Sequence, residues 1–182
     1  MAWGKAGSTT LTSAGDLLDT TITSSPFIQF LFHTPTTGGS SNTAYQFDGT
    51  DQMALRYNQN GGTDGTSVSD TPPEQVWVSY GDHFNVNYYS NITGEEKLGI
   101  IFDVTAGTTG AGTAPARQES VQKSVQSAQI TRVRISNTAA GSYDTDSNLS
   151  VLGSDITPAA AIPAVDNVQD NSLFIEPSTA RR

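Results

Sequence analysis

The chain contains no cysteine. Disulfides, thiolate metal sites and a cysteine nucleophile are thereby excluded, and the redox compartment is left open. Basic residues are scarce: nine Lys and Arg face eighteen Asp and Glu, for a formal net charge of −9. Phosphate neutralisation needs a basic face, so direct binding to nucleic acid is not expected. No apolar run approaches the ~20 residues that span a bilayer, so no membrane insertion is expected. The opening MAWGKAGSTT lacks the apolar stretch of a secretory signal. Release by lysis as part of a particle is then the expected route to any exposed location.

Small polar residues fill the space left by charge. Thr (24) and Ser (20) lead the composition, with 17 Gly and 8 Pro. Thr favours strands, while Gly, Pro, Ser and Asn favour turns. Charged residues make up 15% of the chain, against about 25% in an ordinary globular domain. A surface of Thr, Ser and Asn points to an extracellular or virion β-protein. At 182 residues the chain is long enough for one domain with a real core.

Alternation of period two recurs along the chain, and helical periodicity is nearly absent. Phe84, Val86 and Tyr88 share one face of FNVNYYSNI. Leu98, Ile100, Phe102 and Val104 share one face of KLGIIFDVT. Val76 and Val78 share one in EQVWVSY, and Val133 lies in QITRVRIS. Phe84, Val86, Leu98, Ile100, Phe102, Val76, Val78 and Val133 are the expected core, with a Phe102→Ala cost on the order of 3–5 kcal/mol. Further strands are expected in STTLT, FIQFLFH, AYQFD, QMALRYN and NLSVLG. Turn signals separate them at the spacing of an all-β antiparallel sandwich or jelly roll of about nine strands. PARQESVQKSVQSA (115–128) is the one stretch that reads as a candidate helix, with a single turn or an edge strand as equal alternatives.

The sandwich is expected over residues 1–155. Residues 156–182 lack alternation and are rich in Pro and Ala, which suggests an extended C-terminal arm. Ile162, Val165, Val168, Leu173, Phe174 and Ile175 are its apolar residues and the expected assembly contacts. Burying each large side chain on a neighbouring subunit would contribute roughly 1.5–3 kcal/mol, and strand addition would pair the backbone.

The candidate chemistry is thin. Asp144-x-Asp146-x-Asn148 in GSYDTDSNLS spaces three oxygen ligands as a calcium loop does, and these are the candidate metal ligands. A Gly at the sixth position and a Glu at the twelfth are needed, but Leu149 and Asp155 stand there. The expectation is a turn without metal. The glycine clusters at 60–65 and 107–112 match no phosphate-binding pattern. His33 and His83 are the only histidines, and no G-x-S-x-G elbow accompanies them. Glu95 and Glu96 are adjacent, which is poor geometry for a carboxylate pair on a strand. Trp3, Trp77, Tyr45, Tyr57, Tyr88, Tyr89 and Tyr143 read as core or interface before sugar-stacking platforms. Asn91-Ile92-Thr93 and Asn148-Leu149-Ser150 form glycosylation sequons, a frequent coincidence in so Thr- and Ser-rich a chain. No catalytic residue and no cofactor site is assigned, and the chain is not expected to be an enzyme.

Several stretches carry a resemblance: MAWGKAGSTTLTSAGD, YQFDGTDQMALRYNQNGGTDGT, NITGEEKLGI, TGAGTAPAR and ISNTAAGSYDTDSNLSVLGSD, with NSLFIEPSTARR after them. Together the chain resembles virion-associated β-sandwich proteins of capsid-decoration or fibre type that recur in marine tailed-phage and archaeal-virus sequences. The resemblance implies a non-enzymatic structural subunit at the virion surface, and it carries no catalytic residues across. Its expected partners are other copies of itself and other virion proteins. A glycan- or receptor-binding module on a viral fibre or cell-surface filament is the alternative, with host surface glycans as ligands.

Overall fold

A computed structural model describes residues 2–36, 40–48, 52–69, 74–80, 82–106, 112 and 114–155. Twelve strands run through them: β1 (Trp3–Thr10), β2 (Leu17–Thr21), β3 (Phe27–Thr34), β4 (Ser40–Gln46), β5 (Met53–Gln59), β6 (Gly65–Ser69), β7 (Glu74–Tyr80), β8 (His83–Ser90), β9 (Lys97–Thr105), β10 (Ala116–Ser124), β11 (Arg132–Asn137) and β12 (Asn148–Ser154). No helix occurs among the described residues. The segment 115–128 holds β10, which pairs with β9 on one side and β5 on the other, so it is an interior strand and not an edge.

All strand pairs are antiparallel, in two sheets. The large sheet has the order β1-β12-β3-β8-β9-β10-β5-β6, and the small one β2-β11-β4-β7. The fold is thus the expected all-β antiparallel sandwich, with twelve strands where about nine were expected. The undercount falls on short polar strands such as β2 and β6, whose sequences LLDTT and GTSVS alternate weakly.

Turn chemistry accounts for the local closures. Asn60 and Gly61 both take positive φ (52° and 75°), and Gly62 N–H donates to the Gln59 carbonyl at 2.8 Å. Two successive left-handed residues match the twist of the flanking strands, which is why Asn-Gly closes the β5–β6 hairpin.

The core lies between the sheets. Ile28, Phe30 and Phe32 of β3 and Leu149 and Val151 of β12 face Leu18 of β2 and Val133 and Ile135 of β11. Phe30 stacks on Tyr89 (5.6 Å), and both rings meet the edge or face of Phe47 at 6.1 and 5.1 Å. Burying each such side chain stabilises the fold by about 1.5–3 kcal/mol.

The expected core is correct at Val133 and inverted on β8 and β9. Leu98, Ile100 and Phe102 are 59, 50 and 48% exposed, Phe84 is exposed, and Val86 is half-buried. The side chains of Val76 and Val78 lie outside the described residues. Strands β8, β9 and β10 turn their polar residues inward: His83, Asn85 and Asn87; Lys97, Asp103 and Thr105; Gln118, Ser120, Gln122 and Ser124. The alternation is real, but the other face is the buried one.

Candidate functional site

The inward polar rows pair with one another across the strands. Register places Asn85 opposite Asp103 and Asp103 opposite Gln118. Asn85 Nδ2 donates to Asp103 Oδ2 at 3.0 Å, and Asn87 Nδ2 donates to Asn85 Oδ1. His83 Nε2 lies 3.1 Å from the same carboxylate oxygen, out of line for a hydrogen bond. The imidazole stacks on Phe32 at 5.3 Å. Further along, Gln59 donates to Gln118, Gln118 to Ser120, and the Tyr89 hydroxyl to Gln122. Burial pushes the Tyr89 hydroxyl far above the ordinary tyrosine range, so it stays a donor.

Lys97 ends this interior ladder. Its ammonium donates to the carbonyls of Ile92 (2.5 Å), Glu95 (2.6 Å) and Ser127 (3.2 Å). Burial lowers its pKa, and the nearby Glu95 carboxylate opposes that shift. A buried cation is tolerable where carbonyl oxygens replace its water.

Between the ladder and the core stands one close approach. A Cβ on Gly99 would lie 2.4 Å from the Tyr89 ring, its cross-strand neighbour. Glycine is therefore what lets Tyr89 lie flat over β9 and reach Phe30. That requirement helps fix which face of β9 turns inward.

The outward face of β8 and β9 is apolar, and β10 adds Val121 to it between the exposed charges of Arg117, Glu119 and Lys123. Phe84 and Tyr88 of β8, Leu98, Ile100, Phe102 and Val104 of β9, and Val121 of β10 are all exposed. Register aligns them in rows: Val86 opposite Phe102, Tyr88 opposite Ile100, Ile100 opposite Val121. At one end the face dips into a groove of about 870 Å³. Its first row crosses the sheet from Trp3 on β1 through Phe27, Ser90, Leu98 and Ala54 to Val68 on β6. Arg56 and Lys123 are the charged lining residues, and no acidic side chain lines it among the described residues. These cations have exposed partners in Asp64 (3.5 Å) and Glu96 (3.4 Å).

The predicted site residues are placed as follows. Asp144-x-Asp146-x-Asn148 forms a turn. Ser147 N–H donates to the Asp144 carbonyl (3.2 Å), Thr145 N–H to Asp144 Oδ1 (2.8 Å), and Asn148 Nδ2 to the Asp146 carbonyl (3.2 Å). Asp146 takes a positive φ of 71°. Two other carboxylates that could have joined a metal site there do not: Asp48 accepts from Thr131, and Asp64 accepts from Asn58 and pairs with Arg56. No cluster of three metal-ligating residues occurs among the described residues. Ile162, Val165, Val168, Leu173, Phe174 and Ile175 lie outside the described residues.

Other candidates separate cleanly. The His83–Asp103 pair is wholly buried, and His83 Nδ1 has no hydrogen-bond partner among the described residues, so no nucleophile completes a triad there. Asn91 is also buried. Its amide donates to the carbonyls of Ser25 and Ile130 and accepts from Ile130 N–H, which leaves the sequon inaccessible in the folded chain. Tyr89 and Tyr143 are core, with the Tyr143 hydroxyl 3.1 Å from Thr43 Oγ1. Trp3 and Tyr88 are exposed on the groove. The side chains of Tyr45 and Trp77 lie outside the described residues.

The apolar outer face is the feature that sequence reasoning missed. The signal was present in two places. KLGIIFDVT offers Lys, Gly and Asp on one face, and HFNVNYYS offers His and two Asn, so either parity fills one face with polar residues. Only the close approach of Tyr89 to Gly99 and the Asn85–Asp103 match choose between them, and both are long-range. No protein-family model, curated protein or solved structure matches the chain.

Proposed function

We propose that this chain is a non-enzymatic structural subunit of a phage-type virion, of capsid-decoration or fibre type. It assembles as a repeated unit at the particle surface, with other copies of itself and other virion proteins as partners. The observation that carries the reading is the outward apolar face of β8 and β9, from Phe84 to Val104, with Val121 of β10 beside it. Monomeric soluble proteins rarely leave a contiguous apolar face this broad in water, and such faces mark interaction surfaces. Burial of the His83–Asp103 pair, the one histidine–carboxylate pair among the described residues, supports a structural role over a catalytic one. The net charge of −9 keeps isolated subunits apart until an apolar contact offsets it.

Mass measurement and negative-stain imaging of the purified full chain test this. Ordered multi-copy assemblies are the expected result, with no turnover of glycoside substrates. A monomer at every accessible concentration that binds a defined glycan would replace this reading with a receptor-binding module.

A further inference from the structure

The groove at the Trp3 end of the outer face adjoins the point where the described chain stops. Ser154, the last residue of β12, pairs with Trp3, and its hydroxyl accepts from Phe27 N–H at 3.1 Å. Asp155 N–H then donates to the Ala2 carbonyl at 2.6 Å, with φ at 54°. The chain is thus pinned and turned at the rim of the groove. Residues 156–182 continue from there.

Length and charge say what fits the groove. The densest apolar run of those residues is Leu173-Phe174-Ile175, eighteen to twenty residues past Asp155. Extended chain covers about 60 Å over that distance at ~3.3 Å per residue. From β12 to the far edge at β6 the subunit's own sheet spans only about 29 Å, six strand spacings of ~4.8 Å. The apolar anchor can therefore reach beyond its own sheet to an adjacent copy. Asp170 and Glu176 flank the run, and the groove brings Arg56 and Lys123 with no acidic lining.

We propose that this groove seats residues 156–182 of a neighbouring copy, with Leu173, Phe174 and Ile175 against Leu98, Ile100 and Val121. The proposal rests on the assembly reading above and names the contact that links one subunit to the next. Each chain carries a groove and the segment that fills it. Subunits join in series or in a closed ring, according to whether the rotation between them closes. The arm's apolar residues leave water on a preformed surface, so most of the ordering cost falls on the arm.

The absence of cysteine makes a direct test available. Full-length Leu98→Cys and Phe174→Cys chains are mixed and oxidised, with Ala140→Cys, in an exposed loop, replacing Leu98→Cys as the control. The double variant Leu98→Cys/Phe174→Cys is oxidised alone. The expected results are a disulfide between the two different chains at least tenfold more abundant than in the control, and a ladder of linked chains from the double variant. A double variant that closes only an internal disulfide would mean that each groove holds its own arm, which overturns the proposal. No disulfide from Phe174→Cys to Leu98→Cys, or to Ile100→Cys tested in the same way, in a chain that still assembles by sedimentation would also overturn it, leaving the assembly reading standing. A full chain that stays monomeric would remove that reading, and this proposal with it.

Discussion

Strands β3 and β9 lie two places apart in one sheet and obey opposite rules. On β3 the inward residues are Ile28, Phe30 and Phe32, while Gln29 and His33 are on the outward face. On β9 the inward residues are Lys97, Gly99, Ile101, Asp103 and Thr105, and the outward ones are Leu98, Ile100, Phe102 and Val104. A one-residue shift of β9 would exchange its two faces. Burying the apolar set would gain on the order of 1.5–3 kcal/mol per large side chain. It would also expel Gly99 from beneath Tyr89 and part Asp103 from Asn85. One half of the sheet is held by packing and the other by matched polar pairs. The second half is left with an exposed apolar surface.

Paired truncations probe that contrast most strongly. Phe30→Ala removes a buried ring that touches Phe47 and Tyr89, and should destabilise the fold by about 3–5 kcal/mol in urea titration. Phe102→Ala on the outer face should change the stability of dilute protein by less than about 1 kcal/mol. Similar losses at both positions would mean that the outer face of β9 is buried within the subunit.

The polar half has its own breaking point. Asp103→Ala takes an acceptor from Asn85 and removes the carboxylate beside the buried His83 ring inside the sandwich. A loss of about 3–5 kcal/mol is expected, since removing one member of a buried pair strands the other. A near-neutral outcome in the same titration would show that water reaches the ladder. A smaller effect is expected at the strand crossing itself. Gly99→Ala pushes a methyl into the Tyr89 ring and should cost roughly 1–3 kcal/mol as overpacking. Adding Tyr89→Leu to it should recover part of that loss.

The smallest effect lies on the other sheet. Hydrogen bonding to Arg132 holds the Asp19 carboxyl below its ordinary 3.8, against the opposing effect of burial and with further help from Arg134. A lowered folded pKa contributes stability that is present above the unfolded value and is lost as pH falls through the folded one. The melting temperature should therefore fall as pH drops through and below the ordinary value of 3.8, and Asp19→Asn should flatten part of that fall. Equal pH profiles for the two proteins would show that the pair adds nothing.

Much of the fold was legible because period-two alternation and turn residues are local signals. FIQFLFH announces β3, and Asn60-Gly61 announces the hairpin after β5. The turn at Asp144–Asn148 was legible for the same reason. The direction of the faces was not. Phe102 and Phe30 look alike in sequence, and what separates them is a tyrosine ring over a glycine and an asparagine opposite an aspartate, each from another strand. The interior position of β10 was hidden too, because its buried residues are Gln and Ser, which in isolation read as solvent-facing. Likewise the groove depends on eight strands lining up, from Trp3 to Val68.

Sedimentation velocity of the full chain beside an Ile100→Asp/Phe102→Asp variant, across a concentration series with melting curves for both, tests the outer face most directly. Both substituted side chains are about half exposed, so a carboxylate at each can stay in water in an isolated subunit. The account predicts a wild-type chain that grows into multi-copy species, and a variant that remains a folded monomer with a melting temperature within a few degrees. A variant that assembles as well as the wild type, or one that no longer folds, would contradict it.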